Sequence, residues 1–284
     1  MGITDCHVHI NPLWEMRPEI RSAMGRGGPP PEVERYLREP RAFLEYLDRV
    51  GVERAVLVNY VSPEVVGYSE ATNPFVLEYC ATDPVRLIAV GSVLPTHADP
   101  AAEVKRLHAA GLRGIKVHPP HQLFAPNAYV DGTLPGLRGI YATCEQLGLP
   151  VIVHTGTSVF PGARNRLAEP MLVEDVAIDF PRLTLVLAHG GRPFWTEQAM
   201  FLARRFPRVF LDVSSVPPAR IPRYFPELER VAEQVLFGSD WPGPGVRDIG
   251  ENLRAFRELP YSGRVIEQIL TENPERVFPR SKAG

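Results

Sequence analysis

The sequence predicts one α/β domain over residues 1–284, a closed (β/α)8 TIM barrel with a long loop after its first strand and a helix at its end. Three observations carry that expectation. Eight short apolar, β-branched runs recur along the chain, most of them separated by a segment long enough for a helix, and such alternation demands parallel pairing. The runs are almost continuously apolar, as strands must be when helices cover them outside and side chains fill them inside. Neither a Gly-x-Gly-x-x-Gly turn nor a Walker-type phosphate loop is present, so an open doubly wound sheet lacks its usual signature.

The first run is Asp5-Cys6-His7-Val8-His9, set between Gly2-Ile3 and Ile10. Strand side chains alternate faces, so Asp5, His7 and His9 are expected on one face, Cys6 and Val8 on the other. Residues 11–31 hold Pro12, Trp14, Pro18, Gly25, Gly27, Gly28 and Pro29-Pro30-Pro31, which break regular structure, and read as a loop hanging over the barrel mouth. Helical spacing of Val33, Tyr36, Leu37, Phe43, Leu44 and Leu47 begins at Glu32 and ends at Gly51. The remaining strands fall at 55–60, 87–94, 114–117, 151–154, 183–188, 209–213 and 235–238. Amphipathic segments lie between them at 100–110, 134–147, 173–180, 197–206 and 224–233, and residues 264–278 form a closing helix.

Composition excludes several function classes. A chain that is 44% hydrophobic and 23% charged suits one large globular core. The net charge of −2, without blocks of like charge, removes the electrostatic argument for nucleic acid or an anionic membrane. No signal-peptide pattern or membrane-length apolar run is present, so a cytoplasmic protein is expected, with a small-molecule substrate as its partner and homo-oligomerisation left open. Cys6, Cys80 and Cys144 read as buried small hydrophobes. Lysines are scarce among the 31 basic residues, occurring only at Lys105, Lys116 and Lys282, so one inside a strand invites a chemical question.

In a barrel of this kind chemistry gathers at the C-terminal ends of the strands. Strand one ends in His7 and His9, strand four in Lys116 and His118, strand five in His154, strand six in His189 and strand eight in Asp240. Each has an innocent role if taken alone: His154 as a hydrogen-bonded core residue, His189 as part of a turn, Asp240 as a helix cap. Together they resist that explanation, because burying several ionisable groups side by side is costly unless a cation compensates. Imidazoles and a carboxylate are also the donors that zinc and similar ions prefer. Asp5 reads as a supporting group that orients a histidine. Arg192, Arg164 and Arg166 are surface arginines or clamps for a substrate carboxylate. Trp14, Phe124, Phe160 and Trp241 either wall a pocket or pack loops, and His97, His108 and His121 read as ordinary.

These residues resemble the amidohydrolase superfamily of metal-dependent TIM-barrel enzymes. Gly114-Ile115-Lys116-Val117-His118-Pro119, His154-Thr155-Gly156, Ala188-His189-Gly190-Gly191-Arg192-Pro193 and Phe237-Gly238-Ser239-Asp240-Trp241-Pro242 are similar to its amidohydrolase-related branch. Glu272-Asn273-Pro274 with Val277-Phe278 resembles the branch's closing helix, so the likeness spans essentially the whole chain. The resemblance implies a divalent metal, with zinc expected. In the one-ion form His7, His9, His154 and Asp240 bind it, and His189 contacts its water or the substrate. In the two-ion form a carboxylated Lys116 bridges the ions, and His154 and His189 ligate the second. Both forms stand.

The implied activity is hydrolysis of an amide, ester or lactone carbonyl by metal-activated water, with Asp240 as general base. Arg192, Trp14, Trp241 and His118 are the residues expected to bind substrate. A nonoxidative decarboxylase on the same scaffold is the nearest rival, with His189 or Asp240 protonating carbon. A noncatalytic barrel that binds a small ligand is the rival from another class.

Overall fold

The computed structural model describes residues 2–23, 30–243 and 245–280. Eight strands appear where apolar runs predict them: β1 (Thr4–Val8), β2 (Arg54–Val58), β3 (Leu87–Val90), β4 (Ile115–Val117), β5 (Val151–His154), β6 (Leu185–Ala188), β7 (Val209–Asp212) and β8 (Val235–Leu236). All pair in parallel, in two groups ordered β1-β2-β3 and β4-β5-β6-β7-β8. The groups meet at two seams. At one, Gly91 bridges Ile115 and the Lys116 amide donates to the Gly91 carbonyl at 2.6 Å. At the other, Val8 bridges Trp241, Cys6 and His9 donate to the carbonyls of Phe237 and Trp241 at 2.9 and 2.7 Å, and Asp240 donates to that of His7 at 2.8 Å. These bonds join the last strand to the first and close the ring.

The core has two layers. Cys6, Val56, Val58, Ile88, Val90, Ile152, Val186, Phe210 and Leu236 fill the inside, with Val277 and Phe278 packed against them. A larger shell between strands and helices includes Ala55, Leu57, Ile115, Val151, Leu185, Leu211 and Phe43. Neighbouring residues of one strand fall into different layers, as the two-residue period requires.

β1 breaks that period, which corrects the expected placement of Asp5. Asp5 pairs with Ala55 and Val8 with Leu57, so three steps along β1 match two along β2. The extra residue is a bulge, a device that re-aims side chains near active sites. Cys6 therefore joins the inner layer while Val8 joins the outer one. His7 and His9 look into the mouth, whereas Asp5 follows Ala55 and binds backbone on the seam, its Oδ1 accepting from the amides of His7 at 3.1 Å and Ser239 at 2.9 Å. Burial pushes the Asp5 carboxyl up to about 7 despite those amides.

The helices depart from expectation at identifiable residues. The helix expected from 32 to 51 is two, Pro31–Arg38 and Pro40–Val50, because the residue before a proline is driven out of helical geometry and Glu39 adopts φ −118°, ψ 94°. The segment expected as a helix at 224–233 is a short helix, Ile221–Tyr224, followed by the 3-10 segment Leu228–Gln234. The closing helix is interrupted by a π-helical turn, Gln268–Glu272, between Gly263–Glu267 and Asn273–Val277. There the Asn273 amide donates to the carbonyls of Ala232 and Val235, both at 2.7 Å. Within the stretch expected as loop lie a 3-10 turn, Leu13–Glu15, and a helix, Pro18–Ala23; its residues 24–29 are outside the described residues. All three cysteines are buried and free. Among the described residues no helix is long and apolar enough to cross a membrane.

Candidate functional site

The strands' C-terminal ends surround a cavity of about 290 Å³. His9 and Asp240 lie on its wall, and within 4.8 Å of one another stand ligand atoms of His7, His9 and Asp240. Each imidazole is fixed from behind. The His7 Nδ1–H donates to Asp212 Oδ2 at 2.5 Å, and Asp212 also accepts from the Ser214 amide and hydroxyl at 2.8 and 2.9 Å. The His9 Nδ1–H donates to the Val58 carbonyl at 2.7 Å. Both histidines therefore present a bare Nε2 forward, the tautomer that a metal requires.

Those nitrogens face a carboxylate. Burial pushes the Asp240 carboxyl up, but His9, His7 and Arg192 outweigh it and hold it at about 2. Its Oδ1 lies 3.1 Å from His9 Nε2 and 3.6 Å from His7 Nε2. Two lone-pair atoms at that separation attract only when a proton or a cation lies between them. His7 Nε2 is moreover buried with no hydrogen-bond partner. A buried polar atom without a partner asks for a ligand, and the donor set here suits a divalent cation.

The backbone is arranged for this convergence. Among the described residues, three of the four non-glycines with left-handed φ surround the cavity: His189 at 66°, Ser215 at 58° and Asp240 at 67°, the fourth being Leu123. Such conformations cost about 1–3 kcal/mol each and tend to be kept where function needs them. Gly238 lets β8 approach: a Cβ there would stand 2.6 Å from His7 Cβ and 2.7 Å from Asp212 Oδ1.

The other residues expected at the site divide into two groups. Lys116, His118, His154, His189 and Arg192 line the same cavity, although the nitrogens of His154 and His189 fall outside the three-residue cluster. Lys116 Nζ is buried and unpartnered, and burial brings its pKa down to about 8 against the pull of Asp212 and Asp240. Burial likewise holds His118, His154 and His189 well below the usual imidazole range, so all three are neutral. His189 Nδ1 donates to the Ser214 carbonyl at 3.1 Å, and the Arg192 guanidinium donates to the Thr157 carbonyl at 2.8 Å and Ser215 Oγ at 2.6 Å.

Trp14 and Trp241 are corrections. Trp14 is 41% exposed and packs on Phe75 and under the Arg38 guanidinium, away from the cavity. Trp241 is buried in the outer core, stacked on Phe43 and close to Tyr36 and Tyr46. Phe160 does line the cavity, whereas Phe124, Arg164 and Arg166 do not.

Asp212, His121 and Tyr60 were not foreseen. Asp212 ends β7 as the other polar groups end their strands, so its position was a usable signal. His121, read as ordinary, is 3% exposed, lies in the helical turn Pro119–Gln122 and stacks on His118 with ring centroids 3.7 Å apart. Tyr60 follows β2 and also lines the cavity.

An α/β barrel whose first and last strands bring together two histidines and an aspartate that could hold a metal ion has the arrangement of an amidohydrolase-type barrel. The amidohydrolase family model matches residues 4–280, and the chain belongs to that family. Among solved structures it is similar to an uncharacterised TIM-barrel protein from Bordetella bronchiseptica, at 26% identity and TM-score 0.78, covering 99% of both chains. A protein proposed to be a 2-pyrone-4,6-dicarboxylic acid hydrolase, from Pseudomonas putida, shares the fold at 18% identity and TM-score 0.68, over 99% of this chain and 98% of that one. So does a 2,6-dihydroxybenzoate decarboxylase from Rhizobium, at 17% identity and TM-score 0.66 over 98% of each. No protein with a curated description matches.

Proposed function

We propose that this protein is a metal-dependent hydrolase acting on an amide, ester or lactone carbonyl of a small anionic substrate. The observation that carries the reading is the meeting of His7 Nε2, His9 Nε2 and Asp240 Oδ1 beside a cavity, with each imidazole tied back through Nδ1. Two neutral imidazoles and a carboxylate are a zinc donor set of the catalytic kind, which leaves coordination positions open. Zinc bound there would supply Lewis acidity and a water acidified towards pKa ~7.

The chain's own groups do the rest. Asp240, ionised, accepts the proton of the attacking water at the oxygen not engaged with the histidines. His189, fixed through Nδ1, turns its other nitrogen to the substrate. Lys116 and Arg192 are the cations of the cavity and hold the substrate's negative charge, with the stacked rings of His118 and His121 as a neutral wall. Lys116, His154 and His189 are the groups that would hold a second ion if Lys116 were carboxylated. One metal per chain, with reconstitution indifferent to bicarbonate, rules out that version.

The same two cations favour a second reading, a nonoxidative decarboxylase whose substrate carboxylate they would hold. Product analysis with zinc-loaded protein separates the two. A panel of 4-nitrophenyl esters, lactones and aromatic carboxylates is expected to yield a new carboxylate without carbon dioxide. Carbon dioxide release selects the decarboxylase. Zinc-loaded protein that turns over no member of the panel leaves only a noncatalytic binding barrel.

A further inference from the structure

Tyr60, His121 and Ser158 come from three separate strand ends and meet on the cavity wall. Tyr60 Oη lies 2.9 Å from His121 Nδ1, and His121 Nε2 lies 2.7 Å from Ser158 Oγ. The imidazole is clamped. One face stacks on His118 at 3.7 Å and 12°, Phe160 lies parallel at 5.2 Å and 13°, and the His121 carbonyl accepts from Ser62 Oγ at 3.0 Å. Burial, helped by Lys116 and His9, lowers its pKa to about 3, so the ring carries a single hydrogen.

Where that hydrogen sits decides what the cavity sees. With the hydrogen on Nδ1, His121 donates to Tyr60, Ser158 donates to Nε2 while accepting from the Phe160 amide at 3.2 Å, and the Tyr60 hydroxyl hydrogen is free for a ligand. With the hydrogen on Nε2, Tyr60 spends its own hydrogen on the ring and offers the cavity only lone pairs. The fixed cations Lys116 and Arg192 favour an anion in the cavity, and an anion accepts.

We propose that His121 is a positioning residue: tethered by Ser158, it keeps its hydrogen on Nδ1 when an anionic ligand is bound, so that the Tyr60 hydroxyl donates to the ligand's oxygen. The inference rests on the reading of the cavity as the place of an anionic substrate. The relay supplies a donor where negative charge gathers, opposite in function to the lone-pair cluster at His7, His9 and Asp240. It assigns the stacked histidines a purpose besides packing, since stacking prevents the ring from turning away from Tyr60.

The test is long-range proton–nitrogen NMR of the His121 ring in zinc-loaded protein, with benzoate in excess as the probe. The expected result is a hydrogen on Nδ1, shifting to Nε2 in Tyr60→Phe. A ring that keeps its hydrogen on Nε2 in wild type with benzoate overturns the proposal. Benzoate affinity gives an independent arm. Tyr60→Phe should weaken it about tenfold, because one donated bond to a charged group is lost; His121→Phe should weaken it by up to as much, because the hydroxyl loses the partner that orients it, and the double variant should be no weaker than Tyr60→Phe. His121→Asn, whose side-chain amide reaches the Nδ1 position, should recover most of the loss. Unchanged affinity in His121→Phe overturns the relay. Turnover of 4-nitrophenyl acetate is recorded separately: its absence in wild type speaks against the hydrolytic reading, while the tautomer still decides this one.

Discussion

The two ends of the barrel treat buried charge in opposite ways. At the floor, Arg54 at the start of β2 donates to Glu275 and to the Phe278 carbonyl, both at 2.8 Å, and Arg280 reaches Glu275 at 2.9 Å and Glu53 at 2.7 Å. At the mouth, His7 Nε2, Lys116 Nζ, His118 Nδ1 and His154 Nε2 are buried without partners, while the Nε of Arg54 at the floor and of Arg192 at the mouth alike lack one. Floor charge fastens the closing helix to the strands. Mouth charge is held open for something that arrives, and the protein gives up stability to hold it there.

That contrast can be broken most severely by removing ligands. His7→Ala with His9→Ala should abolish metal binding and lower turnover at least about a thousandfold, since the nucleophile is lost with the ion. Elemental analysis checks it, and equal metal in variant and wild type would refute the assignment. At the floor, Glu275→Ala strands a buried guanidinium and should cost about 3–5 kcal/mol of stability while leaving kcat of the folded fraction intact. Denaturant unfolding alongside kinetics shows whether the two ends are as separate as drawn.

Two smaller effects sharpen the comparison. Asp240→Asn keeps shape and a ligand oxygen but removes the base, so kcat per bound metal should fall roughly a hundredfold. A fall in occupancy matched by activity would instead make Asp240 an anchor alone. Lys116→Met should raise stability by roughly 1–4 kcal/mol while harming substrate binding, the reverse of the floor substitution. The sign follows from linkage. The folded-state pKa of Lys116, about 8, lies below its ordinary 10.5, so the wild type is penalised fully below pH 8 and recovers as pH rises to 10.5. The advantage of the variant should therefore shrink across that window, as melts at several pH values would reveal.

How much of this was legible in the sequence varies by physical cause. The strands were, because each is an apolar run between helix-length segments, and the strand-end histidines and Asp240 followed from the barrel's polarity. The bulge in β1 was not: nothing local in Asp5-Cys6-His7-Val8-His9 announces an extra residue, which exists only relative to β2. Trp14 and Trp241 were misplaced because sequence locates a loop residue near the mouth without telling which way it turns. His121 was missed because it sits on a helical turn beyond β4, where no strand period points to it. Asp212 carried the same signal as its neighbours and could have been read.

The seam between β8 and β1 has a consequence for how the molecule is made and unmade. His7 and His9 come from the beginning of the chain and Asp240 from near its end, so the three donors exist as a set only after the final strand has docked. An ion seated among them would act as a clasp across the last joint to form, tying together segments otherwise separated by almost the full polypeptide. Metal-free chains should then fray first at this joint, and a protease probing them would find β8 and the turn after it before any other strand.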